Sequence, residues 1–185
     1  MKILISQREI LHKNSMGNTM SLDALERDWY VLLKKHTVIP YPNIIDVPDE
    51  LEFDCLIISG GTDSIARHYT EDALFALAVR LNKPIVGVCH GAFAVNDLTG
   101  GVNGKITGHE ASIHSIYMEN NSYRVNSHHH QSIQSIGTSM KIVANDDDGN
   151  IEAFQHDTLP IYGIVWHPER MSTPVLPQAV RQLLL

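Results

Sequence analysis

The chain is poor in cysteine. Of its 185 residues only Cys55 and Cys89 carry thiols, which leaves no disulfide framework to hold a fold together. It has no apolar run near the roughly 20 residues that a membrane-crossing helix needs. The opening segment, Met1-Lys2-Ile3-Leu4-Ile5-Ser6-Gln7-Arg8, turns polar too soon to be the apolar region of a signal peptide. Positive charge is also scarce: 14 Lys and Arg stand against 21 Asp and Glu, a formal net charge of -7. Nucleic acid is therefore not an expected partner, because binding a polyanion needs a basic face. Low-complexity tracts, internal repeats and linkers are missing too. These absences predict a cytoplasmic protein, one domain over residues 1–185, with neither a membrane nor a nucleic acid among its partners. A hydrophobic fraction of 43% is enough to build a core.

What is present alternates between strand and helix patterns, which argues for a parallel sheet covered on both faces. Lys2 to Ser6, Asp54 to Ser59 and Pro84 to Val88 read as apolar strands. Leu22, Leu25, Trp29 and Leu32 recur at helical spacing, predicting a helix from Ser21 to Lys35 with Ser21 as its cap. Prolines at 40, 42 and 48 mark a loop. A second helix is expected from Thr70 to Asn82, with Thr70 as cap and Glu71 and Asp72 in the first turn. A third runs from His90 to Leu98 and stops at Gly100-Gly101. From Ile106 to Ala144, short segments rich in His, Asn and Ser suggest antiparallel strands and irregular loops. Strand pattern returns at Ile151 to Phe154 and Ile161 to Trp166, and Thr173 to Leu185 reads as a closing helix. Trp29 and Trp166 are expected in the core.

Gly87-Val88-Cys89-His90-Gly91 follows a strand and precedes a helix, the context in which a nucleophile sits on a strained turn between close-packed elements. Cys89 then stands at the carboxyl edge of the sheet, and the start of the next helix favours its thiolate. Cys55 lies inside an apolar strand with no turn beside it, and is expected to be an inert buried thiol. His167 ends another strand, and Glu169 follows two residues later, on the same side of an extended backbone. Pro168 between them favours that extended geometry. The pattern suits a Cys–His–Glu arrangement: the imidazole takes the thiol proton and the carboxylate fixes its tautomer. Backbone N–H groups for an oxyanion could come from Gly61 in Gly60-Gly61 and from His90, although two glycines there are equally what a tight turn uses.

Taken together, these segments resemble the class I glutamine amidotransferase superfamily and, within it, the γ-glutamyl hydrolases. The likeness is carried by Ile57-Ile58-Ser59-Gly60-Gly61-Thr62-Asp63, by Gly87 to Gly91, and by Gly163-Ile164-Val165-Trp166-His167-Pro168-Glu169-Arg170. Gly108-His109 with His114, and Val125-Asn126-Ser127 with His129, extend it. Ile5 to Arg8, Leu25 to Trp29 and Ile161 to Arg170 look like a branch found with surface-polysaccharide genes, typified by the γ-glutamyl-CDP-amidate hydrolases. The resemblance implies a flavodoxin-like, mostly parallel α/β sheet with helices on both faces and a small antiparallel extension. It implies that Cys89 attacks a γ-glutamyl carbonyl, that a glutamyl-thioester forms, and that His167 protonates the leaving nitrogen. The substrate is then a small γ-glutamyl compound, met by Gly60, Phe93, Asn126, Ser127 and His129, with no cofactor. Two positions depart from the family pattern: Phe93 replaces a usual Gln, and His90 replaces the Arg common in the closest branch. Phe93 cannot offer a glutamine's hydrogen bonds, so free glutamine is expected to be a poor substrate. A glutaminase subunit feeding ammonia to a separate synthase is the alternative, and a catalytically silent binding module a second one.

Eleven histidines, among them His128-His129-His130, invite a metal. His128 and His130 could share one strand face, but no Cys or carboxylate spacing completes a recognisable site, so no metal is expected. Asp146-Asp147-Asp148-Gly149-Asn150 lacks the closing Glu of a calcium loop and reads as a solvated turn.

Overall fold

The computed structural model describes residues 1–44 and 46–185. In chain order the strands are β1 (Lys2–Ser6), β2 (Arg8–Lys13), β3 (Thr19–Ala24), β4 (Thr37–Tyr41), β5 (Cys55–Ile58), β6 (Ile85–Val88) and β7 (Val102–Lys105). They continue as β8 (Ser112–Met118), β9 (Asn121–Ser127), β10 (Gln131–Ser135), β11 (Met140–Asp146), β12 (Ile151–His156) and β13 (Ile161–Ile164). The helices are α1 (Arg27–Leu32), α2 (Ile65–Arg80), α3 (His90–Leu98) and α4 (Gln178–Leu184). A large sheet runs β4-β1-β5-β6-β13-β12-β11-β8-β9, with β10 on β12 and β7 on β10. Its pairs from β4 through β13 are parallel, and those beyond are antiparallel. This is the α/β sheet, parallel in its covered part and antiparallel in its extension, that the sequence leads one to expect. The extension is larger than expected, with six pairings against four parallel ones among the described residues.

Strand alternation divides the core in two. Ile3, Ile5, Ile57, Val86 and Val88 point to one face, where Trp29, Trp166, Val180 and Leu184 cover them. Leu4, Leu56, Ile58 and Ile85 point to the other, under Leu74 and Leu77 of α2 and Ala92 and Val95 of α3. Both faces are apolar because both are covered, as a parallel sheet requires.

Four local expectations need correction. Residues 21–35 do not form one helix: β2 and β3 make a hairpin and only Arg27–Leu32 is helical, so Ser21 sits in a strand and caps nothing. The turn chemistry decides this, since Asn14 Oδ1 accepts from the N–H groups of Met16 and Asn18, and Gly17 adopts φ +82. Pro40 lies not in a loop but in β4, a strand at the sheet's edge, where a missing N–H is tolerated. α2 starts at Ile65, and its cap is Ser64, whose Oγ accepts from the Arg67 N–H at 3.3 Å. Thr70 is inside the helix, donating its hydroxyl to Ala66 O at 2.9 Å and Ile44 O at 2.6 Å. The closing helix is confined to Gln178–Leu184, because Pro174 and Pro177 bar the residues before it.

Candidate active site

β6 ends at Val88, and the backbone turns into α3 at Cys89, which adopts φ 52 and ψ -107. A non-glycine residue held there stores roughly 1–3 kcal/mol of strain, kept because its surroundings over-determine it. The flanking glycines are obligatory. A Cβ on Gly87 would lie 2.3 Å from Gly91 O, and one on Gly91 would lie 1.9 Å from Ile58 O. The α3 backbone therefore packs directly against β5 and β6. Cys89 donates its N–H to Ile164 O at 2.8 Å, which ties the turn to the end of β13.

The β6–β13 register, Gly87 opposite Gly163 and Val88 opposite Ile164, brings the chain after β13 to the same edge as Cys89. His167 arrives there, gripped by Asn126: the His167 N–H donates to Asn126 Oδ1 at 2.8 Å, and Asn126 Nδ2 donates to His167 O at 2.9 Å. The imidazole Nδ1 lies 2.6 Å from Glu169 Oε1. A carboxylate only accepts, so Nδ1 carries the hydrogen and Nε2 is left for the thiol. Burial opposes charge on this ring, but the nearby Cys89 sulfur and the Glu169 carboxylate outweigh it and raise its pKa from 6.5 to about 9. Gly60 completes the contact, since a Cβ there would lie 2.5 Å from His167 Cε1 and 3.5 Å from Cys89 Cβ. Imidazole, thiol-bearing carbon and Gly60 thus share one small volume. Cys55, by contrast, is fully buried, and burial pushes its thiol up to about 12.

Cys89 and His167 open onto a cavity of about 650 Å³. Gly61, His90, Phe93 and His129 also line it. The N–H groups of Gly61 and His90 have no acceptor among the described residues. Phe93 is buried, its ring 5.8 Å from that of His129. Burial pushes His129 down to about 4, so its ring is neutral. Asn126 and Ser127 do not line the cavity: the first holds the His167 main chain, and the second donates its hydroxyl to His109 O.

Sequence reasoning missed the support under the turn. Arg67 is completely buried, and its guanidinium donates to the carbonyls of Ser59, Gly60 and Thr62. Its Nε also donates to Glu71 Oε1 at 2.7 Å, which accepts from Ser6 Oγ as well. Glu71 Oε2 lies 2.9 Å from His90 Nε2, so one buried carboxylate links β1, α2 and the residue after Cys89. Arg170 was missed too. It lines the cavity and donates two hydrogen bonds to Glu26, at 2.9 and 2.6 Å, which also pairs with Arg8. The i,i+4 spacing of Arg67 and Glu71 on one helix face is a usable hint to the first cluster, and no spacing rule points to the second.

At the carboxyl edge of this α/β sheet, then, a strained cysteine stands beside an imidazole–carboxylate pair. The chain belongs to the family described as glutamine amidotransferase class-I, whose sequence model matches residues 20–185. It is 27% identical over 168 residues to the γ-glutamyl-CDP-amidate hydrolase of Campylobacter jejuni, covering 80% of this chain and 81% of that protein. It is 24% identical over 147 residues to the glutamine-hydrolysing GMP synthase subunit of Ignicoccus hospitalis, covering 75% and 78%. Its fold matches a solved glutamine amidotransferase from Thermotoga maritima with a TM-score of 0.70 at 14% identity, covering 91% of this chain and 76% of that one.

Proposed function

We propose that this chain hydrolyses γ-glutamyl amide bonds, with Cys89 as nucleophile, His167 as proton carrier and Glu169 as its orienting partner. The carrying observation is the 2.6 Å contact of His167 with Glu169, on a ring that also meets Cys89 across Gly60. In this reading Nε2 of His167 takes the thiol proton as sulfur attacks the γ-carbonyl. The carbonyl oxygen gains charge and is met by the N–H groups of Gly61 and His90. Collapse expels the nitrogen, protonated by His167, and leaves a glutamyl-thioester. Water, activated by the same ring, then releases glutamate.

Asn126 and Ser127 act here by positioning: Asn126 sets the His167 backbone, and Ser127 sets the loop that carries His109. Glutamyl contact falls to the cavity-lining groups, His129 and Phe93 among them, and Phe93 makes free glutamine a slow substrate. A nucleotide conjugate of the γ-glutamyl-CDP-amidate type is supported by the likeness to the Campylobacter enzyme, and its handling in the cytoplasm during surface-polysaccharide synthesis is part of the proposal. One feature favours a second leaving group. Asp63, Asp72 and Asp97 are among the residues that line the cavity, and three carboxylates there suit an amine better than a diphosphate. If the chain instead serves a synthase as its glutaminase, as the likeness to the Ignicoccus protein suggests, glutamine turnover would rise when that synthase is added.

The test is glutamate release from a panel comprising free glutamine, γ-glutamyl nucleoside phosphoramidates and γ-glutamyl amines. Release from at least one conjugate, faster than from glutamine and lost in Cys89→Ala, is expected. Silence across the panel, or turnover by Cys89→Ala, would overturn the assignment.

A further inference from the structure

Of the three consecutive histidines, the outer two are exposed, and His130 pairs with Glu110 at 2.8 Å. The middle one, His129, turns inward. It meets His109, from the loop before β8, and Glu152, from β12: one ring nitrogen of each histidine and a Glu152 oxygen lie within 4.8 Å of one another, and all three residues are buried. His109 Nδ1 is 3.6 Å and His129 Nε2 3.8 Å from Glu152 Oε1, while His114 Nε2 is 3.6 Å from Glu152 Oε2.

These separations are too long for hydrogen bonds. His109 Nδ1, His114 Nε2, His129 Nε2 and Glu152 Oε2 have no partner among the described residues. Native proteins rarely leave buried polar atoms in that state, and four of them facing one another imply a missing member. The tautomers say of what kind. His129 Nδ1 lies 2.7 Å from Gln131 O, a carbonyl that can only accept, so Nδ1 bears a hydrogen and faces away, and Nε2 is the nitrogen turned toward Glu152. A neutral Nε2 and a carboxylate are both acceptors, and an electron-poor partner between them satisfies both. Two ligands of a tetrahedral ion with bonds of about 2.0–2.1 Å stand about 3.3 Å apart. Two acceptors bridged by one water stand about 4.5 Å apart. The carboxylate–imidazole distances fall nearer the first.

The outer shell has the expected form as well. Histidines that hold a metal usually give their other N–H to a carbonyl or carboxylate. His129 gives its to Gln131 O, and His109 Nε2 stands 3.4 Å from the carboxylate of Asp146. That carboxylate is buried and also closes the β11–β12 turn by accepting from the Asp148 and Asn150 N–H groups. The expected solvated turn therefore carries an inward-facing acid.

We infer that His109, His129 and Glu152, with His114 beside them, form a binding site for a divalent transition-metal ion, with Zn2+ as the ion their nitrogen and oxygen donors suit. The ion ties the loop before β8 and the loop after β9 to β12. It thereby fixes the His128–Gln131 wall of the cavity, a structural role separate from Cys89 chemistry.

The test uses full-length Cys89→Ala protein, so that the thiol–imidazole pair cannot capture the metal. After chelation and dialysis it is titrated with Zn2+ and with Co2+. One equivalent should bind, Co2+ should give the visible bands of a tetrahedral site without a sulfur charge-transfer band, and a hundredfold excess of Zn2+ over Kd should raise the thermal midpoint by roughly 5–10 °C. Glu152→Gln and His129→Gln in the same background should lose that equivalent. X-ray absorption of the zinc-loaded Cys89→Ala protein reads the ligands without relying on those variants folding, and should show imidazole and oxygen but no sulfur. No saturable uptake, uptake unchanged in both variants, or sulfur in the coordination shell would each overturn the assignment.

Discussion

Gly60→Ala isolates the geometry on which the site depends. Gly60 has no positive φ, so the backbone accepts alanine and the perturbation is purely steric. The new Cβ would lie 2.5 Å from His167 Cε1 and 3.3 Å from its Nδ1. Carbon–carbon contact near 3.5 Å requires the ring to retreat by about 1 Å. That movement disturbs the 2.6 Å bond to Glu169 and carries Nε2 away from Cys89. Misplacing a reacting group by about 1 Å can cost about 100-fold, equivalent to ~2.7 kcal/mol of barrier. Overpacking by one methyl should lower stability by about 1–3 kcal/mol, leaving a folded protein whose thermal midpoint falls by several degrees. The assays are glutamate release and the rate at which iodoacetamide alkylates Cys89, with circular dichroism as the check on folding. A folded Gly60→Ala protein within about threefold of the parent in both rates would refute the claim that Gly60 sets the ring against the thiol.

Other outcomes follow from the same geometry. The His167 imidazole should titrate by NMR near 9 and move down in Cys89→Ala, which removes the sulfur that helps raise it. Because this folded-state pKa lies above the unfolded 6.5, the stabilisation is complete below pH 6.5 and is lost as pH rises through about 9, so denaturant midpoints should fall across that window, less steeply in Cys89→Ala. His167→Asn should lose several kcal/mol of transition-state stabilisation, and near-normal kcat would remove His167 from the mechanism. A thiol-directed electrophile should label Cys89 long before Cys55, whose thiol is buried and pushed up to about 12, and equal labelling in the native protein would contradict that ordering. Arg67→Met should cost about 3–5 kcal/mol by urea unfolding, because it strips Glu71 of its guanidinium while leaving the carboxylate buried, and a loss below about 1 kcal/mol would show that Ser6 and His90 suffice.

What the sequence reveals, and what it hides, follows from how local each requirement is. Cys89 is legible because the demands of its turn fall on Gly87 and Gly91, two positions away on either side. His167 and Glu169 are legible because extended backbone puts i and i+2 together. Arg67 and Glu71 stand one turn apart in α2, but His90 meets them only once α2 packs beside α3, and no pattern in the chain announces that meeting. Asn126 has the same history: a motif marked it for the site, but only the fold shows its side chain spent on the His167 backbone. The hairpin of β2 and β3 was hidden for a different reason. Leu25, Trp29 and Leu32 do pack at helical spacing, and they disguised Leu22, which belongs to an exposed strand. The histidines taught the opposite lesson about spacing: alternation singled out His128 and His130, whereas the loop turns His129 inward.

The most direct measurement is acid quenching of the protein during turnover of a γ-glutamyl conjugate, followed by mass spectrometry of its peptides. The peptide containing Cys89 should carry one glutamyl group, and it should be unmodified in Cys89→Ala, where glutamate release stops. Glutamate produced at the parental rate by Cys89→Ala, or a glutamyl group found on a different residue, would contradict covalent chemistry at the strand–helix turn.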